Sequence, residues 1–121
     1  MPERLIVGIS GASGAIFGIR LLETLAQSDE YETHLIISPS ARVTIVQETA
    51  YSVSQVEALA DVVHNPADIG ASIASGSFRV RGMLVAPCSI KMLSGVANSY
   101  DADLLTRAAD VQLDRKSTRL N

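Results

Sequence analysis

Three short segments hold most of the residues in this 121-residue chain that could do chemistry. They are Gly8 to Gly14, Ser38 to Ser40, and Pro87 to Lys91, each rich in glycine or hydroxyls. Glycine lets a backbone come close to a ligand, and a helix N-terminus offers free N–H groups and a positive dipole end to an anion. Ser13, Ser38 and Ser89 add neutral donors. The chemistry this suits is the holding of a phosphate-bearing small molecule. Gly8, Gly11, Gly14 and Gly18 match neither the dinucleotide fingerprint G-x-G-x-x-G nor the phosphate loop G-x-x-x-x-G-K-[ST]. The second segment opens with Ser38, where an NAD site would have Asp or Glu. NAD and ATP are both disfavoured.

Single residues give weaker signals. Glu48 stands in a neutral stretch and could take a proton beside a ligand, though a solvated helix position explains it as well. Cys88 follows Pro87 with no histidine nearby in sequence, so it reads as a buried, inert thiol. His34 and His64 lack clustered Cys or carboxylate partners, so they read as structural and give no metal signature. Arg107 suits either a phosphate or a surface ion pair with Asp103 or Asp110. Arg79 and Arg81 read as solvated loop charges.

The elements that must position these residues follow from hydrophobic periodicity. Residues 4–9 form an apolar run suited to a strand buried on both faces. Ile16, Ile19, Leu22 and Ala26 recur at helical spacing and predict a helix from Ala15 to about Gln27. Residues 32–38 predict a second strand, which completes a βαβ unit. A helix is expected from Pro39 or Ser40 to about Thr49. The Ser52–Gln55 capping box opens another, to about Ala60. A short strand at 61–64, a short helix at 69–74 and a third buried strand at 83–87 follow. Helices are expected at 89–97 and from 103 to about 113. The pattern is an α/β layered domain with a parallel sheet, and ligands of such sheets bind beyond the carboxyl ends of the strands. All three segments are expected there.

Composition narrows the class. The chain is 47% hydrophobic, 19% charged and 4% aromatic, which excludes a disordered tail or a disulfide-stapled module. Its net charge of −3 gives no electrostatic footprint for nucleic acid. No run of about 20 apolar residues suggests a membrane span, and no signal peptide is evident. One cysteine fits a reducing, cytoplasmic setting. Residues 114–121 change character: Asp114-Arg115-Lys116-Ser117-Thr118-Arg119-Leu120-Asn121 has no apolar periodicity and reads as a non-native tail after a native 1–113. The parallel fold is expected to continue past this point, so its C-terminal part is expected to be missing.

Five separated blocks carry a resemblance. They are Leu5-Ile6-Val7-Gly8-Ile9-Ser10-Gly11-Ala12-Ser13-Gly14-Ala15, Glu32-Thr33-His34-Leu35, Ala74-Ser75-Gly76-Ser77-Phe78, Ala86-Pro87-Cys88-Ser89-Ile90-Lys91, and Leu104-Leu105-Thr106-Arg107-Ala108-Ala109-Asp110-Val111. In this order and spacing they resemble the flavin prenyltransferases of the UbiX type, over roughly residues 3–113. The resemblance implies a Rossmann-like three-layer flavoprotein fold and a homo-oligomer, commonly a dodecamer. It implies that a dimethylallyl group passes from dimethylallyl phosphate to reduced FMN without a metal. The product, prenylated FMN, serves UbiD-type decarboxylases, including that of ubiquinone biosynthesis.

Carried over residue by residue, Gly11, Ala12 and Ser13 match the first FMN loop, and Ser13 also the serine near the reacting flavin nitrogen. Ser38 matches the second FMN contact. Ser89, Ile90, Lys91 and Met92 match the third FMN loop, with Met92 where the family usually has Thr. Glu48 matches a catalytic glutamate, and Arg107 an arginine near the substrate phosphate or a subunit boundary. A lysine that helps hold the prenyl phosphate would fall on Asp114, a charge reversal, and further phosphate-pocket residues would lie beyond Asn121. The chain as given is therefore expected to be inactive or nearly so. The alternatives are a catalytically dead FMN-binding or subunit-interaction module, and an FMN-dependent decarboxylase of the same superfamily. A cysteine decarboxylase of that kind uses a histidine early in the domain, and here His34 comes only in the second strand.

Overall fold

The computed structural model describes residues 2–68, 71–75, 77–89, 104–109 and 111–112. Four strands, β1 (Glu3–Ile9), β2 (Tyr31–Ile37), β3 (Val62–His64) and β4 (Gly82–Val85), form one sheet in the order β3-β2-β1-β4. All three pairings are parallel. β1 and β2 are the inner strands, in keeping with the burial of Leu5 to Ile9 and of Thr33 to Ile37. Every strand therefore ends on the same side, where Ser10, Ser38 and Ala86 begin their loops.

Strand alternation sorts the core into two layers. Val7, Ile9, Leu35 and Ile37 pack against α1 (Ala15–Ala26), α2 (Pro39–Glu48) and α3 (Val53–Glu57). Ile6 and Ile36, on the opposite face, pack against Ile73, Val80, Leu104, Leu105 and Ala108. Residues 104–109 and 111–112 are helical (α4). Helices thus cover both faces of the sheet, the three-layer α/β arrangement expected from the sequence.

Local rules set the helix starts. Ser38 caps α2, its hydroxyl accepting from the Ala41 N–H, with Pro39 in the first turn. Ser52 and Gln55 form the capping box of α3. Three expectations need correction. α3 ends at Glu57, not near Ala60, because Leu59 and Ala60 donate to carbonyls three residues back and tighten into a turn. That turn delivers Asp61 to Thr33: the Asp61 carboxylate accepts from the Thr33 N–H at 2.8 Å, and the Thr33 hydroxyl accepts from the Asp61 N–H at 3.0 Å. The helix expected at 69–74 is a 3-10 turn, Ser72–Ala74. The strand expected to be fully buried, β4, is half-exposed, with Leu84 at 43%, because among the described residues only β1 pairs with it. The helix expected at 89–97 and the tail at 114–121 lie outside the described residues apart from Ser89.

Candidate functional site

The first loop turns on Gly14, whose φ of +103° lies where a side chain would be strained. Gly14 precedes α1 and has no side chain to cap it. The cap comes from Glu48, the last residue of α2: its carboxylate accepts from the Gly14 N–H at 2.9 Å and the Ala15 N–H at 3.3 Å. A negative charge there also meets the positive end of the α1 dipole. These two backbone bonds, with a weaker one from the Ser13 hydroxyl, hold the Glu48 carboxyl below the usual carboxylate range against a small opposing effect of burial. Glu48 is thus an ionised acceptor at neutral pH, and it fills the helix end that the sequence offered to a ligand's phosphate.

The second loop meets the first through Gly11. A side chain on Gly11 would run into Ser40, so glycine is what lets the two loops touch. Ser38 donates its N–H to the Ile9 carbonyl at 3.0 Å, and its hydroxyl lies 3.3 Å from that of Ser40.

The third loop is joined to the first by Ser10, which is 1% exposed. Its N–H donates to the Pro87 carbonyl at 3.2 Å and its hydroxyl to the same oxygen at 2.5 Å. The hydroxyl oxygen accepts from the Ser89 N–H at 2.6 Å. Gly18 adds a second tie, because a side chain there would strike the Ala86 carbonyl. Cys88 corrects its expectation: it is exposed, because the bend after β4 carries it outward.

Gly11, Ala12, Ser13, Ser38, Glu48 and Ser89 are thus gathered at the carboxyl ends of β1, β2 and β4. Arg107 stands half-buried on α4, two residues after the Leu105 that a side chain on Gly8 would strike, and the Asp103 and Asp110 of its ion-pair alternative lie outside the described residues. Ile90, Lys91 and Met92 lie outside the described residues.

Away from this end, the parallel register sets His34 beside Val62 and Ile36 beside His64. His34 Nδ1 and His64 Nε2 are 2.9 Å apart, and His34 Nε2 is 2.7 Å from the Glu32 carboxylate. Arg4 lies 3.7 Å from that carboxylate and over the Phe78 ring. Burial, then repulsion from His34, pushes the His64 pKa down, and Asp68 opposes this. Sequence reasoning placed both histidines as structural but saw neither this pairing nor Ser10. The one available signal was a lone polar residue directly after the apolar run Leu5 to Ile9. Among the described residues no group of three or more His, Cys, Asp or Glu could hold a metal ion, and no helix is long and apolar enough to cross a membrane.

Known proteins share this arrangement. The Flavoprotein family profile matches residues 1–119. Flavin prenyltransferase UbiX of Escherichia coli K12 is 58% identical over 114 residues, which are 94% of this chain and 60% of that protein. A crystal structure of AnUbiX (PadA1) in complex with FMN and dimethylallyl pyrophosphate superposes with a TM-score of 0.92 at 46% identity, over 94% of this chain and 60% of that one. A dodecameric FMN-dependent UbiX-like decarboxylase from Escherichia coli O157:H7 superposes with a TM-score of 0.91 at 52% identity, over 93% and 61%. The chain therefore spans about 60% of the length of the curated relatives it matches. A parallel three-layer fold, three loops gathered at its strand ends, and a family profile matched over residues 1–119 lead to one conclusion: the chain belongs to the flavoprotein family.

Proposed function

We propose that this chain is the nucleotide-binding part of a flavin prenyltransferase. The observation that carries this is the joining of three loops at the carboxyl ends of β1, β2 and β4, through Gly11 on Ser40 and Ser10 on Pro87 and Ser89. Similarity to UbiX supports the specific activity.

The residues present suit FMN. Gly11 and Ala12 give a small-residue floor for close approach of a planar ring, and Ser13, Ser38 and Ser89 supply neutral hydroxyls. Because Glu48 fills the start of α1, a nucleotide phosphate belongs with the second and third loops, where Ser38, Ser89, Ile90, Lys91 and Met92 would hold it. Reduced FMN would supply the nucleophilic nitrogen and carbon that take the dimethylallyl group, as its bond to the phosphate oxygen breaks and phosphate leaves. Glu48, kept ionised, would take up the proton displaced as the new ring closes. Ser13, whose hydroxyl helps lower the Glu48 pKa, would orient that carboxylate toward the flavin. Arg107 is assigned to the substrate phosphate or to a subunit boundary.

The wider reading is a homo-oligomer that hands prenylated FMN to a UbiD-type decarboxylase, including that of ubiquinone biosynthesis, in the cytoplasm. Phe17 of α1 and Val43 and Val46 of α2 are exposed on neighbouring helices and support cover by another copy. Turnover is assigned to the longer protein, in keeping with the length of the relatives. The test is a transfer assay on this chain completed with the C-terminal part of the Escherichia coli relative. Reduced FMN and dimethylallyl phosphate should give a flavin heavier by one dimethylallyl group. A completed protein that binds FMN yet forms no such product would refute the assignment.

A further inference from the structure

We propose that Ser10 is a positioning residue, whose buried hydroxyl sets the third loop against the first so that Ser89 is in place for the flavin. This rests on the FMN reading above. Ser10 lies in the first block of the resemblance, but the site residues that the resemblance implies begin at Gly11.

A serine hydroxyl has one proton to give, and Ser10 spends it on the Pro87 carbonyl at 2.5 Å. Its oxygen then accepts the Ser89 N–H at 2.6 Å. The residue is 1% exposed and its partners are half-buried, so the hydroxyl makes both bonds from the protein interior. The partners lie 77 and 79 residues away in sequence, on the loop after β4. The Ser10 backbone N–H holds the same Pro87 carbonyl at 3.2 Å, so the main chain fixes Pro87 without the side chain. What the hydroxyl adds is the reach to Ser89. With that N–H turned inward to Ser10, the backbone at Ser89 takes one orientation, and its side chain starts from a fixed Cα. Alanine at position 10 would take this partner from the half-buried Ser89 N–H and from one Pro87 lone pair, and the Ser89 backbone would lose its tie to the first loop.

The experiment compares the 121-residue chain with Ser10→Ala, Ser10→Thr and Ile73→Val. FMN affinity is read by flavin fluorescence where circular dichroism shows each protein folded, and Ser89 amide exchange is read by NMR. Ile73 lies in the core of the opposite layer, so its variant controls for lost stability alone. Expected are a protected Ser89 amide in the parent, loss of that protection in Ser10→Ala, and FMN binding weaker by about tenfold or more, the scale of a buried hydrogen bond. Ser10→Thr, which keeps the hydroxyl, should stay within about threefold of the parent, and Ile73→Val should not weaken binding. Should Ser10→Ala not fold, Ser10→Cys, with its weaker donor and acceptor, is read the same way.

Unchanged affinity in Ser10→Ala, or equal weakening in Ile73→Val, overturns the proposal. So does an unprotected Ser89 amide in the parent, whatever the flavin does. A protected amide in a folded parent that binds no FMN overturns the FMN reading and, with it, the role of Ser10 toward flavin.

Discussion

The carboxylate of Glu48 closes the N-terminus of α1 by accepting the Gly14 N–H at 2.9 Å, across 34 residues of sequence. One side chain therefore ties the end of α2 to the start of α1, and does so at the edge of the first loop. The proton transfer proposed for Glu48 requires a group held in place and in the right ionisation state. The backbone bonds from Gly14 and Ala15 do both.

Glu48→Gln keeps an oxygen that can accept the Gly14 N–H but removes the charge. In the completed protein, FMN binding should stay within about threefold while prenyl transfer falls by about a hundredfold, the scale of a lost acid–base group. Binding and turnover measured on the same preparation check this. Equal losses in both would mean that Glu48 only shapes the loop.

The acid limb of stability should also report on Glu48. Its folded pKa lies below the unfolded one, so its contribution is present above the ordinary glutamate value of about 4.3 and is lost as pH falls through the lowered folded value. Urea midpoints measured downward from pH 6 should drop more steeply in the parent than in Glu48→Gln. Parallel curves would contradict the assignment.

His64 acts in a higher window. Its folded pKa is depressed, first by burial and then by His34, so below the unfolded value of about 6.5 the unfolded chain binds more protons than the folded one. Stability should therefore fall as pH drops below that value and level off once the folded histidine also protonates. The charged neighbours Glu32, Arg4 and Asp68 all face this pair and stay in place in the test. His64→Gln, whose amide can still reach His34, should flatten the slope, as read from thermal midpoints between pH 5 and 8.

Gly18 and Gly82 make a contrasting pair. A methyl group on Gly18 would strike the Ala86 carbonyl and the Ile9 side chain, whereas one on Gly82 meets nothing within 4 Å. Gly18→Ala should cost about 1–3 kcal/mol in urea unfolding, the usual toll of overpacking. Gly82→Ala should stay within about 0.5 kcal/mol of the parent.

Much of this was legible in the sequence because it is local. The apolar run Leu5 to Ile9, the spacing of Ile16, Ile19 and Leu22, and the Ser52–Gln55 box each sit within one element, and each formed as its pattern dictates. The loops were legible because small residues directly after apolar runs are where parallel strands end. What stayed hidden depends on distant pairing. Glu48 meets Gly14, Ser10 meets Ser89, and His34 meets His64 only once the sheet is assembled in its parallel register. Burial just past a strand end was equally hidden: Cys88 was expected inside and lies exposed, because a strand-like run does not show where the bend after it goes.

The most direct test is an FMN titration of the folded 121-residue chain, followed by flavin fluorescence, with Ser13→Ala and Ser38→Ala beside it. Saturable binding at one site, weakened about tenfold by either substitution, is the expected result. A cooperatively folded chain that leaves FMN fluorescence unchanged at every concentration would contradict the flavin site at the strand ends.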